Sequence, residues 1–232
     1  MDYLQKAVDT FSKTDADVVQ FDFNISDTKG TYRKLITSEI DYGYHDADSM
    51  IFALAGGKMW PNIWARAYRR SLFDDIRFPE GEYWEDVAIL HELFYKAKRI
   101  YYCNFSGYVY IQREDSITKI TPLNSWKWRF IQYKKRYEFI RRHYNLDMHI
   151  FDRQMAGPAI DYGKWCVLTG NHSCFKNMRK WVKEQTLRLS ALSHKQVLTM
   201  ILLMHAPVLF CLVVYVMNIR VMNRDNRGKN EG

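Results

Sequence analysis

The chain lacks most of the features that reveal a function directly. Its four cysteines, Cys103, Cys166, Cys174 and Cys211, include no CxxC pair and no metal-ligand spacing. They read as reduced, structural thiols of a cytosolic compartment, and Cys211, inside an apolar run, behaves as a small hydrophobe. The first ten residues carry Asp2 and Asp9 and no apolar core, so no signal peptide is expected. No internal repeat and no low-complexity tract is visible, which excludes a solenoid. No nucleic-acid recognition signature accompanies the basic charge, and no nucleic-acid partner is expected.

What is present is a folded chain rich in rings. Its 232 residues suffice for one good-sized domain with an appendage, and its core needs no covalent staples. An apolar fraction of 47% with 26% charged residues excludes wholesale disorder. The 16 Tyr, 13 Phe and 7 Trp serve cores, but also flat platforms for sugars, bases or headgroups. A net charge of +8 points to an anionic partner: a membrane surface, a diphosphate or a nucleic acid.

Periodicity divides the chain near residue 120. Residues 2–12 place Tyr3, Leu4, Ala7, Val8 and Phe11 on one helical face. Residues 17–25 alternate as a strand, and 31–37 pair back on it. Residues 48–55 form a helix stopped by Gly56-Gly57. Pro61 opens a helix running to about Phe73, and another follows from about Glu85 to Lys98. Residues 99–102 and 108–112 look like a strand pair, which completes an α/β layer. Helices are expected at about 123–144, 150–169, 174–189 and 195–222, with a disordered basic tail over 223–232.

The chemistry concentrates at Trp84-Glu85-Asp86, after Phe78-Pro79-Glu80-Gly81. Acids near a helix N-terminus are stabilised by the dipole and the free N–H groups, whatever their role. Neighbouring residues do not share a helical face, so only one of the two enters a given pocket. A carboxylate there stays ionised and fits a base better than an acid.

Several segments in order resemble family-2 (GT-A type) glycosyltransferases. Residues 59–86 (MWPNIWARAYRRSLFDDIRFPEGEYWED) resemble the middle of that family, where a Trp-containing helix leads to an FPEG turn and an aromatic-Glu-Asp motif. Tyr108-Val109-Tyr110-Ile111-Gln112-Arg113, followed by Asp115-Ser116-Ile117-Thr118, is similar to an element of the bacterial branch that builds surface polysaccharides. The resemblance covers residues 1–120 and implies the acceptor-side part of an incomplete GT-A (Rossmann-like) sheet layer, followed by a C-terminal helical region. It implies an inverting transfer from a nucleotide-sugar donor to a saccharide or lipid-linked acceptor. Asp86 would be the general base and Glu85 its neighbour. Trp84, Tyr83 and Trp60 would bind substrate, and Arg113, or more weakly Lys58 or Arg66, would meet the diphosphate.

The family also implies a divalent metal, Mn or Mg, held by an Asp-x-Asp motif ahead of the segment matching Met1. Asp15-x-Asp17 has the letters but lies at a strand entry, and Asp22 has no partner at ligand spacing. The metal ligands are therefore expected to be absent, and a truncated form with little activity alone is expected. A non-catalytic, membrane-associated interaction module is the alternative.

Beyond residue 120, residues 121–192 read as a helical extension. Trp126, Phe130, Tyr133, Tyr137, Ile140 and Tyr144 recur at helical spacing, with Lys127, Lys134, Lys135, Arg136, Arg141 and Arg142 on other faces. This stripe either packs on the core or lies on lipid headgroups. Residues 193–222 form an apolar, membrane-associated helix or hairpin. Residues 197–217 carry no charge at neutral pH and just match a bilayer core of ~30 Å, but His205 and Pro207 disturb a lipid-exposed helix. A re-entrant or surface-lying hairpin, a true span and a soluble docking helix stay open, and each suits the cytoplasmic face of a bacterial membrane.

Overall fold

The computed structural model describes residues 2–27, 30, 32–35, 37–113 and 123–228. The chain is a mixed α/β protein that divides into two units. The first comprises 1–122 with 132–146, and the second 123–131 with 147–232.

The first unit is built on a five-stranded sheet. Helix α1 (Tyr3–Thr14) starts where Asp2 accepts the Leu4 N–H, and stops at Asp15 in left-handed geometry. Strand β1 (Val18–Asp27) follows and pairs antiparallel with β2 (Tyr32–Leu35). Strand β3 (Gly43–His45) leads to helix α2 (Ala47–Ala55), capped by the Asp46 side chain on the Ser49 N–H. Strand β4 (Arg66–Tyr68), helix α3 (Glu85–Lys96) and strand β5 (Ile100–Gln112) complete the set. The strand order is β2-β1-β5-β3, with β4 also on β1. Ala7, Ala16, Val19, Phe21 and Cys103 form a core cluster between α1 and the sheet, with Tyr3, Phe11 and Phe105 packed around it.

Two expectations fail here. Residues 61–73 form no α-helix; they contain β4 and a 3-10 turn over Arg70–Phe73. The open edge of β1 at Val18–Gln20 takes Arg66–Tyr68 as an antiparallel partner, and that tertiary pairing overrides the helix-start signal of Pro61. Nor are 99–102 and 108–112 paired with each other. Both lie on β5, parallel to β1, with residues 104–107 bulging opposite Asp22. Asn24 fastens the bulge by exchanging hydrogen bonds with Ser106. A Cβ at Gly107 would stand 2.4 Å from the Phe105 ring, so any other residue there would have to push that ring aside.

The edge of β1 is shared. Strand β4 covers its first half and β2 its second. Between them the Phe21 N–H donates to the Ala65 carbonyl, and the Phe21 carbonyl accepts the Thr37 hydroxyl. The loop before β4 is thereby pinned to the middle of the sheet.

Helix α4 (Leu123–His143) contributes residues to both units. Phe130, Tyr133, Tyr137 and Ile140 of its aromatic stripe are buried. Arg136, expected on a solvated face, is fully buried. The second unit adds α5 (Asp152–Leu168), α6 (His172–Glu184), α7 (His194–His205) and α8 (Pro207–Gly228). A Cβ at Gly163 of α5 would press on Leu203 of α7, Phe210 of α8 and Met178 of α6. The expected single helix over 195–222 is broken at Ala206. The Leu203 carbonyl would accept the N–H of residue 207, but Pro207 has no N–H. The Arg179 guanidinium takes the Leu203 and Met204 carbonyls instead, at 2.6 and 2.7 Å. Helix α8 continues to Gly228, so most of the expected disordered tail is helical.

Candidate functional site

The first turn of α3 carries Glu85 and Asp86. Ahead of it Trp84 sits at φ 65° without a side-chain cap, a left-handed conformation that costs a bulky residue on the order of 1–3 kcal/mol. Its indole meets the Tyr133 ring edge-on. Successive helical positions then send the two acids in different directions. Glu85 is exposed and Asp86 is half-buried.

Burial pushes the Asp86 carboxyl up to about 6, and the neighbouring Glu85 charge adds to the rise. The Ile63 backbone N–H and the Arg66 and Arg136 guanidiniums act against it, favouring the anion. The group is therefore an ionisable carboxylate poised just below neutrality, which is the condition for a general base at physiological pH.

Both guanidiniums are buried. Arg66 donates Nε to Gln20 Oε1 at 2.9 Å, Nη1 to the Asn62 carbonyl, and Nη2 to the Trp60 carbonyl at 3.1 Å. It holds the 60–62 loop in shape, so the diphosphate role weighed for it gives way to a structural one. Arg136 donates Nε and Nη2 to the Val87 carbonyl in the first turn of α3. Arg136 Nη1, Gln20 Nε2 and Asn62 Nδ2 are buried donors without a hydrogen-bond partner among the described residues.

The same loop carries an aromatic platform. Trp64 stacks on Tyr110 with centroids 5.1 Å apart and on Tyr108 at 5.0 Å. Phe23 touches both Trp64 and Trp60 edge-on. Strands β1 and β5 run parallel, so Phe23, Tyr108 and Tyr110 lie toward their carboxyl ends, where open α/β sheets bind ligands. Trp60 is half-exposed at 49%.

Of the residues singled out from the sequence, the structure thus joins Asp86 and Trp60 through the 60–63 loop. Tyr83 and Trp84 are half-buried just before α3, and Glu85 faces solvent. Arg113 is exposed directly after β5, and Lys58 is exposed in the chain between α2 and β4. Residues 115–118 lie outside the described residues. Gln20, Asn62, Trp64 and Arg136 were not singled out for a site. Arg136 had one usable signal: with Gln132 and Ile140 it forms an i, i+4, i+8 row beside the aromatic stripe.

The other acids considered for a metal are engaged structurally. Asp15 pairs with Arg69 at 2.9 Å, and Asp17 accepts the Lys98 and Arg99 N–H groups. Asp22, fully buried on β1, accepts the Thr37 N–H at 2.9 Å, the Tyr42 hydroxyl at 2.7 Å and the Tyr102 hydroxyl at 2.5 Å. Among the described residues no group of three or more His, Cys, Asp or Glu is placed to hold a metal ion. The donor set present does not fit the implied divalent cation. Comparison with models of known protein families gives no match, and comparison with curated proteins gives none.

Proposed function

We propose that the first unit is the acceptor-side part of a GT-A-type glycosyltransferase and that Asp86 is its general base. The observation that carries this reading is the pairing of a half-buried carboxylate, pushed up to about 6, with an aromatic platform on the loop that donates to it. Aromatic faces suit the apolar faces of a pyranose ring, and Trp60 is the exposed member of the group.

In the proposed step a saccharide or lipid-linked acceptor rests its ring against Trp60, with one hydroxyl near Asp86. Asp86 removes the hydroxyl proton as the oxygen forms a bond to the anomeric carbon. The bond from that carbon to the diphosphate oxygen breaks, and the leaving nucleoside diphosphate keeps its electron pair. Attack from the opposite face inverts the anomeric configuration. The Ile63 N–H and the two arginines keep Asp86 anionic before the proton arrives. No step is routed through a metal.

The experiment is sugar transfer from a panel of nucleotide sugars, with a donor-binding half supplied where the chain alone is silent. Asp86→Asn is expected to lower turnover by about 10²–10⁴, the contribution of a positioned base. Unchanged transfer in that variant would refute the assignment. One observation favours a second reading, a non-catalytic interaction module: every nitrogen of Arg66 is engaged inside the protein. On that reading Trp60 still binds saccharide, and Asp86→Asn leaves the binding intact.

A further inference from the structure

We propose that α7 and the first half of α8 seat the protein on the surface of an anionic phospholipid bilayer, lying in the headgroup plane without crossing it. The first observation is the distribution of charge. Residues 123–131 and 147–232 carry 14 Lys and Arg against 6 Asp and Glu, while the rest of the chain balances 20 against 20. The entire excess of +8 belongs to the second unit.

The second observation is what the helices expose. Helix α8 buries Phe210 and Val214 beside α5, but Val208 is 73% exposed and Leu212 and Met217 are each 56% exposed. Leu209, Val213 and Val216 are exposed with them. On α7, Met200 and Leu203 are buried while Leu198 and Ile201 face outward. A helix apolar on every side has no stable place in water, and an exposed apolar area of this extent marks an interaction surface. A cleft of about 250 Å³ between the 186–189 segment and α7 opens beside it and shares Ile201.

Length decides between crossing and lying flat. Eleven residues from Pro207 to Met217 rise ~16 Å, about half of a ~30 Å hydrocarbon core. No helix among the described residues is long and apolar enough to cross a membrane. The Arg179 cap on Leu203 and Met204 keeps the two helices from joining into one longer rod. An exposed apolar seat on a unit that also exposes Lys180, Lys183, Arg188 and Lys195 is the arrangement that anionic headgroups attract. Those same cations repel a second copy of this unit, so the charge favours lipid as the occupant.

The inference stands apart from the chemistry proposed for Asp86, because vesicle binding is read without any transfer assay. The full chain would be sedimented with vesicles of phosphatidylcholine alone, and with vesicles holding about 30% phosphatidylglycerol. At least about tenfold stronger binding to the anionic vesicles is expected, weakening as salt is raised. Leu212→Glu with Val216→Glu should abolish it, and both positions are exposed, so the fold is retained. Lys180→Glu with Lys183→Glu leaves the apolar face intact and should weaken binding about fivefold or more per residue. Equal binding to both vesicle types, or no effect of the lysine changes, would overturn the proposal. So would a soluble dimer, measured by light scattering, that Leu212→Glu dissociates, since a second copy would then cover the face.

Discussion

The Trp64 indole lies face to face with the Tyr110 ring, with centroids 5.1 Å apart and planes 10° from parallel. Through this contact the carboxyl-terminal half of β5 fixes the loop whose Ile63 N–H reaches Asp86. The platform and the carboxylate are thus one assembly, set by packing on the sheet.

The two tryptophans of that loop should separate stability from binding. Trp64→Ala removes a ring held by Phe23, Tyr108 and Tyr110, and is expected to cost about 3–5 kcal/mol. Trp60→Ala removes a half-exposed ring and should cost about 1 kcal/mol. Urea denaturation gives both values. On the proposed function the parent protein should bind oligosaccharide in a fluorescence titration, and Trp60→Ala should lose that binding.

Asp86 should lower stability above neutrality. Its folded-state pKa of about 6 exceeds the ordinary 3.8. Below about pH 4 both folded and unfolded states hold the proton, and the favourable contribution is complete. As pH rises through about 6, the folded state must ionise a half-buried group and loses on the order of 1–3 kcal/mol. Asp86→Asn escapes that loss. The variant should melt higher than the parent at about pH 8, and the two should converge near pH 4. Parallel melting curves at both pH values would contradict the burial assigned to Asp86.

Arg136 should tune that titration. Its guanidinium lowers the Asp86 pKa, so Arg136→Met should move the Asp86 carboxyl resonance to a higher midpoint in a carbon-13 NMR titration. Replacement by an apolar side chain of similar length should leave stability within about 2 kcal/mol. Arg136→Ala, which opens a cavity beside α3, should cost about 2–4 kcal/mol. If Asp86 is the base, the pH dependence of transfer moves by the same amount as the NMR midpoint.

The Asp22 carboxylate should make Tyr102 one of the costly hydroxyls of the sheet. Tyr102→Phe deletes a buried bond to a carboxylate and should cost about 1.5–3 kcal/mol in urea denaturation. Tyr42→Phe removes a bond from a half-exposed ring and should cost less. The bond to Asp22 also pushes the Tyr42 hydroxyl up to about 12, so its phenolate absorbance should develop about two pH units late.

Local signals carried most of the elements. Asp2 and Asp46 start α1 and α2, and alternation over residues 17–25 marks β1, because caps and pleats act over a few residues. What the sequence hid was decided at long range. Pro61 promises a helix, but the pairing of Arg66–Tyr68 with Val18–Gln20 makes a strand. The runs around Cys103 look like a hairpin, yet a four-residue bulge keeps both on one strand. Of the candidate site, Asp86 and Trp60 could be singled out from the sequence, because each stands in a segment dense in rings or acids. Gln20 and Asn62 could not, because a lone buried polar side chain on a strand or loop has no periodic signature, and Arg136 shows only through its row with Gln132 and Ile140.

Strand β1 meets β5 across a wide gap in the chain: Val18 lies beside Ile100, 82 positions later. During synthesis, therefore, one flank of this central strand stays bare until Gln112 has left the ribosome, while β2 and β4 have already closed the other. Nascent chains halted before that point would present an apolar, unzipped ribbon to chaperones, and release from them should coincide with emergence of Tyr108 and Tyr110, the β5 rings that Trp64 lies against.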